Sequence, residues 1–183
     1  MRKLLFVVFV TVLFIGCNSD KPAEQKSETT VSADNETKEA APAEFADVKY
    51  SEMGKKAIAA FSNGDVDGWL ADYSDNSVFL WNNGDSLAGK PAIVEYWKKR
   101  RTEVIDSVAF NNDIWLPIKV NKPQSVEAPG VWLLSWYQIN VKYKTGKKMS
   151  QWIHTDMHFD ATDKIDRVIM YVDRAPINEV TKK

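Results

Sequence analysis

The sequence predicts an α+β domain, with helices first and an antiparallel meander last. Three observations carry that prediction. Residues 131–173 read as three long strands rich in Trp, Tyr, Val and Ile, with turns at Lys144-Thr145-Gly146-Lys147 and Asp160-Ala161-Thr162-Asp163. From about Ala46 to Asn63, Val48, Ala57, Ile58 and Phe61 fall along one stripe near helical spacing. The chain has 7 Trp, the first of them Trp69, so the core-forming side chains lie in the roughly 135 residues that follow the polar N-terminal stretch.

Met1-Arg2-Lys3 precedes a largely apolar run from Leu4 to Ile15 and then Gly16-Cys17. Roughly a dozen residues make about 18 Å of helix, short of the roughly 30 Å hydrocarbon core. A basic start, a short apolar stretch and a small residue before the cut describe a signal peptide, residues 1–16. Phe14-Ile15-Gly16-Cys17 resembles a bacterial lipobox, with Phe14 where Leu is usual. That resemblance implies lipidation of Cys17, and stable anchoring needs the several acyl chains such a cysteine carries. Asn18 is not the aspartate that signals inner-membrane retention, which points to the outer membrane. With 1 Cys, no intramolecular disulfide forms. Residues 17–45 are dominated by Lys, Glu, Ala, Ser and Thr. They read as a disordered tether, because so little apolar area cannot offset the ordering entropy.

The domain then spans 46–178, with a tail at 179–183. Its first helix ends at Asn63-Gly64, and Asp65 caps a second helix running through Tyr73. Ser77 to Trp81 is a strand, and Asn82-Asn83-Gly84-Asp85 a turn. Pro91 opens a third helix carrying Ile93, Val94 and Trp97, and Lys98-Lys99-Arg100-Arg101 ends it. Basic residues there complement the helix dipole, a reading preferred to a phosphate site. A strand from about Asp113 to Asn121 and a loop at 122–129 lead into the meander. The net charge of −1 gives no basic bias toward nucleic acid.

Taking Thr145-Gly146 as a two-residue loop pairs Asn140 with Gln151, Gln138 with Ile153, Trp136 with Thr155 and Leu134 with Met157. Val168, Met170 and Val172 continue that face. The opposite face collects Tyr137, Ile139, Trp152, His154, Asp156, Arg167, Ile169 and Tyr171.

Asn63-Gly64-Asp65-Val66-Asp67, Tyr73-Ser74-Asp75-Asn76-Ser77-Val78, Leu87-Ala88-Gly89-Lys90-Pro91-Ala92-Ile93 and Lys164-Ile165 before Tyr171-Val172-Asp173 resemble, in order and spacing, the NTF2-like superfamily and its SnoaL-like branch. The resemblance covers about Tyr50 to Pro176. It implies a cone in which three N-terminal helices pack inside a strongly curved antiparallel sheet with a mixed edge, often around a pocket. Trp81, Trp97, Trp136, Gln138, Asn140, Thr155, Met157 and Met170 are then the candidate pocket residues. With no interior charge in view, the ligand expected is small, neutral and largely apolar.

Steroid isomerase relatives use a base aspartate, a tyrosine and a protonated aspartic acid. The matching positions carry Trp81, Ala57 and Thr155, so that chemistry is not expected and no catalytic residue is assigned. Alternatives stay open: a SnoaL-like enzyme of isomerase, dehydratase or hydrolase type using His154 and Asp156, an Asp156-Arg167-Asp173 cluster of the epoxide hydrolase kind, or a protein-interaction module of the cell envelope. His154 and His158 lie about 13 Å apart on one strand, too far to share an ion held at about 2.1 Å. No metal or cofactor is therefore expected. Members of the resembled family pair through the sheet face. A homodimer is accordingly expected through Tyr137, Ile139, Trp152, His154, Ile169 and Tyr171, and the membrane is expected to be reached only through the lipid.

Overall fold

The computed structural model describes residues 40–125 and 127–182. The expected signal peptide, the expected lipidation site Cys17 and most of the expected tether lie outside the described residues. A seven-stranded sheet runs in the order β1-β4-β5-β6-β7-β2-β3. Its strands are β1 (Ala43–Phe45), β2 (Tyr73–Trp81), β3 (Ser86–Ala88), β4 (Ile105–Val120), β5 (Gly130–Tyr143), β6 (Lys148–Phe159) and β7 (Ile165–Tyr171). Neighbours are antiparallel except β2 and β7, which pair parallel. The helices are α1 (Lys49–Ser62), α2 (Val66–Trp69), α3 (Lys90–Lys99) and α4 (Arg174–Thr181), and a π-helical turn, Arg100–Val104, joins α3 to β4. Among the described residues, no helix is long and apolar enough to cross a membrane.

Local chemistry explains most boundaries. Gly64, at φ +85°, stops α1. The Asp65 carboxylate accepts from the Gly68 N–H at 2.7 Å and caps α2. That helix is a single turn, because β2 already begins at Tyr73. Of the sequence stripe of α1, Phe61 is buried and Ala57 and Ile58 are half-buried, whereas Val48 lies just before the helix and is 68% exposed; Tyr50 and Gly54 complete the inward face instead. Phe61 packs its ring 4.7 Å from Trp69, edge-on to Trp97 at 5.6 Å and edge-on to Phe110 of β4 at 6.3 Å. Leu70, Phe79, Ile93, Leu133 and Val168 fill the fully buried layer behind these rings.

Two strands differ from expectation. The strand expected from Asp113 starts at Ile105 instead. Asn111-Asn112-Asp113 is a bulge, not a boundary, with Asn112 at φ +54° and the pairing to β5 shifting between Asn111 and Ile114. Such a bulge keeps the ladder but bends it, which helps the sheet to curl.

The β5–β6 hairpin also differs. Tyr143 N–H donates to the Lys147 carbonyl and Lys142 pairs with Lys148, so the loop is Lys144-Thr145-Gly146, three residues with Gly146 at φ +85°. Asn140 therefore pairs with Ser150, Gln138 with Trp152 and Trp136 with His154. The extra residue reverses β5 against β6. The β6–β7 pairs, Thr155 with Met170 and His154 with Tyr171, keep the expected faces. Only β5 turns over: Ser135, Tyr137, Ile139 and Val141 face the helices, and Trp136, Gln138 and Asn140 face away.

Candidate functional site

The helices do not fill the concave side of the sheet. A cavity of about 410 Å³ remains among α1, α2, α3, α4 and strands β2 to β7. Trp69, Trp81, Tyr96, Trp97, Phe61 and Phe110 form its aromatic wall. Ile105, Val108, Ile139, Val141, Ile153 and Met170 form the aliphatic one. Most of these rings brace one another: Trp69 stands edge-on to Trp97 at 5.1 Å, and Tyr96 edge-on to Trp81 at 5.3 Å. Packing of this kind holds a wall in place without polar groups.

The polar groups are few. Behind the wall, the Tyr137 hydroxyl meets Thr155 Oγ1 at 3.0 Å, and Ser135 Oγ donates to the Thr155 carbonyl. Burial pushes the Tyr137 hydroxyl up to about 12, so it stays protonated. Asp85 and Arg174 also line the cavity and pair at 2.5 Å, with the guanidinium 5.3 Å from the Trp81 ring centre. Hydrogen bonds from Asn83 and Arg174 hold the Asp85 carboxyl below its ordinary value. Arg100 lines the cavity as well, half-buried beside Tyr143. Burial pushes the Tyr143 hydroxyl up, and Arg100 opposes the shift.

Trp81, Trp97 and Met170 stand in the cavity wall as expected. Thr155 and Met157 are buried on the concave side but do not reach the cavity. Trp136, Gln138 and Asn140 are on the convex face, for the register reason given above. There Trp136 stacks on His154 at 4.4 Å, and Gln138 bonds Asn112 and Ser150. Tyr137 and Ile139, expected on the outer face, line the cavity instead. Trp152, His154, Ile169 and Tyr171 remain outside.

His154 and Asp156 stay together on the convex side, 2.7 Å apart, with His154 Nδ1 2.9 Å from the Ser135 carbonyl. Burial raises the Asp156 carboxyl and His154 pulls it back. Asp173 caps α4 by accepting from the Ala175 N–H, and Asp156 bonds His154 instead of Arg167. His158 bonds Asp166 at 2.6 Å and the Pro129 carbonyl at 3.1 Å, pinning the loop end that precedes β5. Among the described residues, no group of three His, Cys, Asp or Glu could hold a metal ion.

Sequence reasoning missed Tyr96, Tyr143, Asp85, Arg174 and Arg100. One signal was available. Ile93, Trp97 and Arg100 stand at i, i+4 and i+7, one helical stripe. The basic run is three things at once. Lys98 pairs with Asp67 at 2.7 Å, Arg101 donates to the Ile105 and Asp106 carbonyls, and Arg100 faces the cavity. The expectation of a ligand without charge rested on an interior without charge, and Arg100 removes that ground.

The arrangement of helices on a curled sheet is similar to that of several solved proteins. A candidate polyketide cyclase of Pseudomonas putida matches with a TM-score of 0.58 at 17% identity, over 72% of this chain and 96% of that one. The chain has the NTF2-like fold. An NTF2-like protein of unknown function from Burkholderia pseudomallei matches at 0.53 and 12% identity, over 73% and 97% of the two chains. A LEH-like epoxide hydrolase of Mycobacterium tuberculosis matches at 0.50 and 14%, over 71% and 86%. No protein-family model matches the sequence, and no curated protein does.

Proposed function

We propose that this is a small-molecule-binding module of the SnoaL-like type, taking a compact, largely apolar ligand into the cone. One observation carries the reading: a braced aromatic cavity of about 410 Å³, within the range of ligand sites. Its lining holds no histidine and one carboxylate, Asp85, which hydrogen bonds from Asn83 and Arg174 hold ionised and therefore weakly basic. The test is to fill the space. In Ile139→Trp the new ring occupies the cavity, so small molecules recovered with the wild-type protein by native mass spectrometry are lost. Trp136→Ala, on the other face, leaves them bound. Recovery unaffected by Ile139→Trp sinks the reading. So does a large loss of stability in that variant, because overpacking a filled core costs about 1–3 kcal/mol.

A second reading, an enzyme, is favoured by the similarity to a candidate polyketide cyclase and an epoxide hydrolase. It assigns the chemistry to Asp85 at the cavity. Hydrolysis of a simple aryl epoxide such as styrene oxide, abolished in Asp85→Asn, would support it.

The same proposal places the domain in the cell envelope as an exported lipoprotein, on the outer membrane, tethered through Cys17. Cys17→Ser is expected to shift the protein from the membrane to the soluble fraction, and unchanged fractionation rules the anchor out. It also includes a homodimer through the convex face, centred on Trp152.

A further inference from the structure

Two donors on one stripe of the third helix reach the cavity region without a protein acceptor. Arg100 lines the cavity, half-buried, and among the described residues its guanidinium has no carboxylate or carbonyl partner. One turn earlier, Trp97 is 7% exposed and lines the same cavity, and its indole N–H is buried without an acceptor. Buried polar groups normally find partners. Of the two, the Trp97 N–H is fully buried, while half-buried Arg100 is still reached by solvent; both donate and neither accepts, so a ligand that meets them in the cavity brings an acceptor.

Charge narrows the class. The cavity lining carries Arg100, Arg174 and Asp85. Arg174 and Asp85 neutralise each other, and stacking on Trp81 holds Arg174 further. One positive charge is left over, at Arg100. A monoanion balances it. A dianionic phosphate would leave excess charge among aromatic walls, where an unpaired charge is costly. A planar carboxylate also fits the guanidinium fork with two parallel hydrogen bonds.

We propose that the cone binds a small carboxylic acid as its carboxylate, with the apolar body against the aromatic wall and the carboxylate on Arg100. This rests on the cavity reading above and sharpens it from an apolar ligand to an amphipathic monoanion. Arg100 is the specificity residue. Arg174 stays with Asp85.

Isothermal calorimetry on the soluble Cys17→Ser chain tests it with matched pairs: 1-naphthoate against 1-naphthamide, and decanoate against decanamide. The acids should bind at least about tenfold more tightly than their amides, the usual reach of one charged hydrogen bond. Arg100→Gln should erase that preference, Arg100→Lys should keep part of it, and the paired change of Asp85→Asn with Arg174→Gln, which leaves the net charge of the lining as it was, should leave it in place. Thermal melts of the Arg100 variants should match wild type, since Arg100 gives up no ion pair. If acids and amides bind equally in wild type and in Arg100→Gln, the carboxylate assignment fails while the cavity reading stands. If phenyl phosphate outbinds benzoate, the monoanion assignment fails. If no probe binds, both readings fail together. A preference lost in that paired variant but kept in Arg100→Gln overturns the choice of residue.

Discussion

Gly54 stands where α1 crosses the sheet. A Cβ there would run into the Trp115 ring, and into Leu133 at 2.9 Å. Leu133 is fully buried, and the Trp115 indole is tied to Asp113, so neither gives way easily. Alanine improves helix propensity by about 1 kcal/mol, whereas overpacking costs about 1–3 kcal/mol. Gly54→Ala is therefore expected to lower the melting temperature by several degrees, against its propensity, and an unchanged melt would show that α1 can lift. Asp163 works through charge. It accepts from Lys49 and Tyr50, at 2.7 and 2.5 Å, and fastens the start of α1 to the β6–β7 turn. Those bonds lower its carboxyl below the ordinary 3.8. Its contribution is thus complete above 3.8 and is lost as pH falls through the lower folded value. Urea melts of Asp163→Asn should show a shallower loss of stability below pH 4 than wild type. Arg100 shows what a sequence does and does not disclose at this scale. Its place on the Ile93-Trp97 stripe was legible. Its role was hidden because the neighbouring Lys98 and Arg101 are ordinary helix-end cations, and a run of four invites one explanation.

At the scale of elements, the amphipathic α1, the proline-led α3 and the three meander strands could be read from periodicity and capping residues. The errors were at turns. Thr145-Gly146 fits a two-residue loop as well as the end of a three-residue one, and local chemistry does not separate them. The difference is one residue, and with period-two side chains it moved Tyr137 and Ile139 indoors and Trp136 out. Asn111-Asn112-Asp113 likewise reads as a break, while pairing on both sides makes it a bulge. The last helix, α4, was folded into a domain end and tail because eight residues make only two turns, too few for a stripe to repeat. It closes the cone through Ile177 and Asn178, and its far end is held from the β5–β6 turn. Thr145 Oγ1 donates to the Val180 carbonyl at 2.9 Å, and Lys147 Nζ to that of Glu179 at 3.2 Å. These few bonds make α4 the loosest wall. Thr145→Val should speed amide exchange in α4 and leave β5 and β6 unchanged, and exchange spreading into the strands would show instead that the turn itself had loosened.

For the whole molecule, the convex face of the sheet sets the question of assembly. No helix of the described residues lies between the rings there and solvent at Trp152, 53% exposed, or Tyr171, 43% exposed. Ile114, paired with Trp136 across β4 and β5, adds a third apolar group at 55%. Turning β5 over removed Tyr137 and Ile139 from this face but put Trp136 on it, so the aromatic character survives the correction. Trp136, His154 and Tyr171 form one stack, with ring centres 4.4 and 5.3 Å apart. Such a stack is rigid before it meets anything, which lowers the ordering cost of contact. A stable pair of copies needs about 800 Å² from each partner, and aromatic side chains supply about 150–250 Å² apiece. Trp152, Tyr171 and Ile114 are each about half exposed and supply about half of their area, which makes them the apolar centre of such a contact, with Trp152 near the axis, and leaves the rest of the area to the polar residues around them. The chain from residue 40 onward is therefore expected to sediment as a dimer at micromolar concentration, and Trp152→Glu as a monomer, because the glutamate would be buried beside its own copy. Tyr171→Ala, nearer the edge, should weaken the dimer by less. A wild-type monomer at high micromolar concentration, with Trp152→Glu equally soluble and equally stable, would mean that this face serves another partner or none.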